Sequence, residues 1–169
     1  MKTIFERRTI RKFSEKEIED EKITKLLKAA MQAPGSRMGM EPWEFIVIKN
    51  KNTIEKLSQM SPNAKKVKGA NTAIVTLANM DKVHYPKVWQ QDMSAAVENI
   101  LLEAAYLGLG GLWIGTAPIQ ERMDYLTELF QLKENIKPFN IIALGYPGEG
   151  QKNKYINKYD ETRVHYEKY

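Results

Sequence analysis

Residues 92–115 read DMSAAVENILLEAAYLGLGGLWIG, and the rest of the chain falls into place around them. Met93, Ala96, Val97, Ile100, Leu101, Ala104 and Ala105 recur at the period of a helix with one apolar stripe. Ala95, Ala96, Ala104 and Ala105 keep that helix slim, so a second backbone can approach it closely. The helix is expected to stop near Leu107-Gly108, because glycine takes the left-handed conformation past a helix end without a steric penalty. Gly110-Gly111 then reads as a turn into Leu112-Trp113-Ile114, a short apolar run of strand type that meets Gly115. A buried helix feeding a glycine turn and a strand suits a flat ligand lying against exposed backbone amides. A plain core helix followed by a turn accounts for the same residues equally well.

A chain of 169 residues is expected to form a single domain over residues 1–169, long enough to bury a core. Its 43% apolar content is ordinary for a globular protein. No apolar run reaches the roughly 18 residues of a membrane span. The opening MKTIFERRTIRKF carries charges where an export signal needs its apolar stretch, so a cytoplasmic protein is expected, with no membrane partner. The absence of cysteine excludes disulfides, thiolate metal sites and a cysteine nucleophile. His84 and His165 are the only histidines, and neither has the spacing of a catalytic zinc site, so no metal is expected.

The formal charge of +5 is compatible with nucleic acid and equally with an anionic cofactor. Lys22, Lys25, Lys28, Lys49, Lys51 and Lys65 are scattered over the expected solvent faces of their elements. With no aromatic RNA-binding motif and no zinc-finger spacing, nucleic-acid binding is not expected.

The densest cationic cluster lies in FERRTIRKF, residues 5–13. Arg7, Arg8 and Arg11 with Thr9 offer forked, charge-assisted donors and a hydroxyl, the chemistry that receives a phosphate. Ile10 and Phe13 would anchor the segment to the core. A solvated basic arm is the plainer reading of the same residues.

Ile23, Leu26, Leu27, Ala30 and Met31 mark a first helix within residues 14–33, with Asp20 as its expected N-cap and Pro34-Gly35 as its stop. The following loop, PGSRMGMEP, would lay backbone and Ser36 against a ligand with Met38 and Met40 as soft apolar contacts, or would simply join helix to strand. WEFIVI (43–48), TAIVTL (72–77) and FNIIAL (139–144) read as strands. Asn52-Thr53-Ile54-Glu55 resembles a capping box for a short helix reaching Met60. NAKKVK (63–68) is polar and basic, and residues 81–89 form a loop with Tyr85 and Trp89. Residues 119–132 form an amphipathic helix with Met123, Leu126, Leu129 and Phe130 inward.

Residues 148–169 are polar and rich in tyrosine, too poor in apolar residues for a core of their own. Such a tail stays mobile or wraps another chain. Tyr155, Tyr159, Val164 and Tyr166 favour wrapping.

The order of elements implies a layered α+β or α/β domain with a sheet of about four strands covered by helices. The glycines at 108 and 110 follow a helix and are succeeded by Trp113, so they fail the dinucleotide fingerprint. Walker and GxSxG motifs are absent. No carboxylate pair suited to acid–base work is visible; Asp160-Glu161 lies in the tail and reads as surface.

FERRTIRKF, APGSRMGMEPWEFIVI, the Asp92 helix with LGLGGLWIG, and IIALGYPGE occur in the order found in the nitroreductase family of flavoenzymes. The chain resembles the shorter members of that family over essentially its whole length. The resemblance implies an α+β fold with a mostly antiparallel central sheet flanked by helices. It also implies an interleaved homodimer, with FMN sites at the subunit interface.

Carried onto this sequence, the resemblance puts Arg7, Arg8 and Thr9 at the FMN phosphate. Arg11 falls at the pyrimidine edge of the ring, where a cation stabilises the anionic reduced flavin. Pro34, Gly35 and Ser36 match the loop contributed by the partner subunit. The family commonly continues Asn-x-Gln-Pro-Trp; here Gly39-Met40-Glu41-Pro42-Trp43 stands in that place, so contacts from residues 37–41 do not carry over. Asn63 and Lys66 match residues near the polar edge of the flavin. Gly115 and Thr116 match the turn whose amide faces flavin N5. Lys158 matches a C-terminal basic residue of the phosphate site, with Lys154 as the alternative.

The activity so implied is hydride transfer from NAD(P)H through FMN to an electron-poor acceptor, a nitroaromatic, a quinone or a flavin, by a ping-pong route. The flavin would carry the chemistry, which fits a chain without a catalytic His, Cys or carboxylate dyad. The alternatives are reductive dehalogenation or flavin breakdown on the same fold, a flavin-binding or redox-sensing module without turnover, and a basic nucleic-acid-binding protein. A short chain with little room for a substrate-clamping lid argues against the first.

Overall fold

The computed structural model describes residues 2–36 and 39–169. Its centre is an antiparallel sheet built from β1 (Trp43–Ile48), β2 (Thr72–Asn79), β3 (Gly110–Gly115) and β4 (Ile136–Gly145), in the order β1-β2-β4-β3. Strand side chains alternate between the two faces, so both faces of this sheet can be apolar and both must be covered. Ile74, Ile142 and Leu144 point to one side; Ala73, Val75, Ile141 and Ala143 point to the other.

The first face is covered by α2 (Asp20–Ala30) and α4 (Trp89–Tyr106), which also pack on each other. Met93, Ala96, Val97, Ile100 and Ala104 of α4 are fully buried there, as their periodicity requires. Full burial of a side chain the size of Ile100 contributes about 1.5–3 kcal/mol. Gly108 then ends the helix with φ +76°, a conformation that glycine adopts without strain. The second face is covered by α3 (Lys51–Ser58), a 3-10 helix at Pro62–Gly69, and α5 (Gln120–Phe130). The result is three layers, helix–sheet–helix.

Several local expectations change. Residues 2–6 form a short helix, α1 (Lys2–Glu6), ahead of the arginine cluster. The N-cap of α2 is Glu19, with Asp20 the first helical residue. The cap of α3 is Asn50, whose side chain accepts from Thr53 N at 3.1 Å; Asn52 already lies inside the helix. Residues 63–68, polar and basic in sequence, form part of the 3-10 helix, with Ala64 and Val67 buried against the second core. In α5 only Leu126 is fully buried.

Gly110 and Gly111 are strand residues, not a turn. A Cβ on Gly110 would lie 2.4 Å from the Ile10 side chain, and one on Gly111 would lie 2.5 Å from Leu101. Gly110 is therefore required by the Ile10 branch point that crosses β3, whereas at Gly111 the near atom is the flexible tip of Leu101.

Candidate functional site

The arginine cluster is built into the sheet edge. Thr9 bridges to Gly111 in parallel fashion, and Ile10 N donates to Gly111 O at 3.1 Å. Ile10 is 1% exposed, wedged into the space that Gly110 leaves open. The segment thus covers the free edge of β3, where unpaired backbone groups would otherwise face solvent.

A second segment zips along it from the C-terminal side. Ser14 N donates to Tyr146 O, Gly148 N to Lys12 O and Lys154 N to Glu6 O, each at 2.9 Å. Gln151 Oε1 accepts from Arg11 N at 3.2 Å. Asn153 accepts from Arg8 N at 3.0 Å and donates to Leu109 O at 2.9 Å. Residues 148–154, expected to belong to the wrapping tail, are therefore held by their own chain.

The guanidinium groups differ in their company. Arg7 Nε lies 3.3 Å from Glu98 of α4. Arg8 donates from its terminal nitrogens to the carbonyls of Arg7 and Phe5, and its Nε is buried without an acceptor among the described residues. The Arg11 side chain is exposed, with no acceptor among the described residues. A buried guanidinium donor without a partner is costly, and an oxyanion at this position would satisfy it.

At the far end of β3, Gly115 is half-buried and Thr116 fully buried. Arg122 Nη1, from the first turn of α5, donates to Gly115 O at 2.8 Å. The Thr116 hydroxyl donates to the Met60 sulfur at 3.7 Å, which ties this turn to the approach to the 3-10 helix, two residues before Pro62. On that helix Asn63 and Lys66 are exposed and one turn apart, so they share a face while Ala64 and Val67 face inward. Strand β3 thus links Thr9 to Gly115 and Thr116, and Met60 carries the link on to Asn63 and Lys66.

Pro34, Gly35 and Ser36 lie elsewhere, at the N-terminal end of α4. Ser36 donates to Asp92 Oδ1 from both its backbone N, at 2.9 Å, and its hydroxyl, at 2.6 Å. Residues 37 and 38, part of the stretch whose family contacts did not carry over, lie outside the described residues. Lys154 sits beside the arginines through its backbone, whereas Lys158 is exposed in the tail and joins none of the other candidates.

Sequence reasoning passed over Arg122, Gln151, Asn153 and the role of Asp92. The two amides stood in a polar stretch, GEGQKNK, with no periodicity to flag them. Asp92 was visible as a carboxylate among apolar helix positions, the type of residue that is rarely buried without a task.

Among the described residues no group of acidic or histidine side chains is placed to hold a metal, and no helix is long and apolar enough to cross a membrane. The nitroreductase family model matches residues 4–90 and 62–146, and the chain belongs to that family. A protein of Archaeoglobus fulgidus, provisionally named an NADH dehydrogenase/NAD(P)H nitroreductase, is 42% identical over all of this chain and 98% of its own length. A crystal structure from Clostridium acetobutylicum, provisionally named an NADH oxidase, has a TM-score of 0.96 at 52% identity, covering 99% of each chain. An FMN-dependent nitroreductase from Clostridium difficile has a TM-score of 0.89 at 33% identity, covering 99% of this chain and 98% of its own.

Proposed function

We propose that the protein is an FMN-dependent NAD(P)H oxidoreductase of nitroreductase type, acting as a homodimer with its flavin sites at the subunit interface. The observation that carries this reading is the buried Arg8 Nε without an acceptor, in a segment that also presents Arg7, Thr9 and Arg11. These residues fit an anionic cofactor: the cations are fixed by backbone pairing and lack a full set of carboxylate partners. When bound, FMN supplies the relay of hydride from NAD(P)H to an electron-poor acceptor (a nitroaromatic, a quinone or a flavin) in ping-pong order.

The residues of the chain hold and bias that group. Arg7, Arg8 and Thr9 receive its phosphate, with Lys158 or Lys154 completing the charge balance. Arg11 faces the pyrimidine edge and stabilises negative charge there. Asn63 and Lys66 present an amide and a cation from one face of the 3-10 helix. The turn at Gly115 and Thr116 offers a backbone amide, with Arg122 bonded to the carbonyl of the same peptide unit. Pro34, Gly35 and Ser36 serve the flavin of the partner subunit.

Several features support the dimer. An open groove of about 650 Å³ lies between α1, α2 and α4, lined in part by Ala29, Gln32, Leu102, Ala105 and Tyr106. Ala95 and Ala105 remain half-exposed on α4, while Ala96 and Ala104 are consumed by the chain's own core. Tyr155, Tyr159 and Tyr166 are 62%, 71% and 84% exposed, an aromatic surface suited to wrapping a second subunit from residues 155–169.

The test is a visible absorbance spectrum of the purified protein, then anaerobic addition of NADH and, separately, NADPH. A yellow protein that bleaches is expected, and the faster nucleotide identifies the donor. A yellow protein that bleaches with neither would indicate a flavin-binding module without this turnover. A colourless protein that takes up no added FMN overturns the reading.

A further inference from the structure

Asp92 is 3% exposed in the first turn of α4, yet no cation pairs with it among the described residues. Its Oδ1 accepts both the Ser36 amide and the Ser36 hydroxyl, and its Oδ2 is buried without a partner among the described residues. A buried carboxylate is an expensive way to stabilise a helix, even near the helix N-terminus, where the dipole favours a negative charge. Its position is explained by what it holds.

Ser36 is fixed from every side. Its carbonyl accepts from Met40 N at 3.3 Å, and Met40 is 1% exposed. A Cβ on Gly35 would lie 1.8 Å from the Met40 carbonyl oxygen, so the loop closes on itself and leaves no room for a side chain there. The amide hydrogen, the hydroxyl hydrogen and the carbonyl of one serine thus all have partners inside the protein.

We propose that Asp92 is a positioning residue of the cofactor site: its buried carboxylate sets Ser36, and with it Pro34 and Gly35, before the cofactor arrives. The inference rests on the reading that this loop lines the flavin of the partner subunit. It adds a chemical constraint. The hydroxyl hydrogen of Ser36 is directed to Asp92, so the oxygen presents lone pairs outward. It therefore accepts from the ligand, selecting a hydroxyl or an imide N–H and disfavouring a bare carbonyl or phosphate oxygen.

Two measurements test this. In the flavin-free wild-type protein, hydrogen exchange at the Ser36 amide is expected to be slowed at least about tenfold against an unstructured peptide, because the bond to Asp92 precedes the cofactor. Titration of flavin-free Asp92→Ala with FMN, followed by flavin fluorescence, is expected to show binding weakened by about tenfold or more, with a changed visible circular dichroism at saturation.

An Asp92→Ala protein that is folded and binds FMN with wild-type affinity and wild-type circular dichroism overturns the proposal. So does a Ser36 amide that exchanges freely in the flavin-free wild type, a measurement that stands even if Asp92→Ala fails to fold. Failure of the wild type itself to bind FMN would remove the functional reading beneath it, which is a different result from an unaffected variant.

Discussion

Residues 6–14 and residues 155–169 both carry aromatic and β-branched side chains outside the sheet, and they are opposite in structure. The first sets four cations against one carboxylate, the second three against three, and neither forms a strand of the sheet. The first is pinned to β3 and residues 146–154 through its backbone, and its Ile10 fills a space that glycine leaves open. The second makes one 3-10 turn at Glu161–Arg163 and leaves its tyrosines in solvent. Of its rings, Tyr155 meets Phe5, at 6.2 Å between centroids. The difference lies in the backbone. Residues 6–14 pair with the open edge of β3, whereas residues 155–169 pair with no strand of their own chain among the described residues. One segment is finished by the fold; the other has apolar side chains still to bury.

Truncation after Lys154 is the strongest way to break this contrast. It leaves every backbone bond of residues 6–14 in place and removes the exposed aromatics together with Lys158. Loss of the dimer in sedimentation, with release of flavin, is the expected outcome and the largest effect anticipated here. A truncated protein that remains dimeric and yellow would show that residues 155–169 are not the second subunit's clamp.

Gly110→Ala attacks the other segment. The added Cβ would meet Ile10 at 2.4 Å, against its Cγ1 and Cβ and not the tip of a flexible chain. Overpacking of this kind costs about 1–3 kcal/mol. Thermal or urea denaturation should show that loss, and FMN should bind more weakly because Thr9 and the arginines move with Ile10. An unchanged midpoint would mean that residues 6–14 are held by their hydrogen bonds alone.

The two segments also mark what could be read from the sequence. Helix α4 announced itself through a strict apolar period, and Gly108 through its place at the helix end. Strands β1 and β4 were legible from β-branched runs, because both faces of the sheet are covered and the runs are continuous. Gly110-Gly111 was misread as a turn because local sequence does not reveal that another segment crosses a strand and excludes a Cβ. The chemistry of the arginines suited an anion, and a solvated basic arm was the plainer reading of the same residues. Their alignment by Gln151 and Asn153 was hidden, since two amides about 140 residues away in sequence carry no local signal. The same holds for Ser36 and Asp92, which meet only once α2 and α4 have packed.

Arg11→Ala sharpens the functional side of the comparison at a smaller scale. Its guanidinium is exposed and free of protein acceptors among the described residues, so removing it should leave the fold untouched. If it faces the flavin ring, FMN affinity should fall by about tenfold and anaerobic reduction by NAD(P)H should slow. Unchanged flavin content and unchanged reduction would remove Arg11 from the site and leave the anion to Arg7 and Arg8.

The smallest effect lies where the two chain termini first meet, at Ser14 and Tyr146. The Tyr146 hydroxyl donates to Glu19 at 2.7 Å, while Lys22 donates to that hydroxyl and Lys16 lies 4.1 Å from the ring centre. That hydroxyl, helped by Lys16 and Lys22, holds the Glu19 carboxyl down at about 2. Its pKa is lower folded than unfolded, so between about 2 and 4.5 the unfolded chain binds more protons. The contribution to stability is present above that window and is lost as pH falls through it. Glu19 is open to solvent, so the effect is small and screened by salt. Tyr146→Phe should flatten the acid side of the melting-temperature profile and leave the neutral plateau nearly level. Flavin binding should be unaffected, because residues 6–14 are tied here by Ser14 N on the Tyr146 carbonyl, a bond the substitution keeps. Loss of flavin from Tyr146→Phe would instead mean that the side-chain cluster holds the N-terminal segment, and that its backbone pairing is not sufficient.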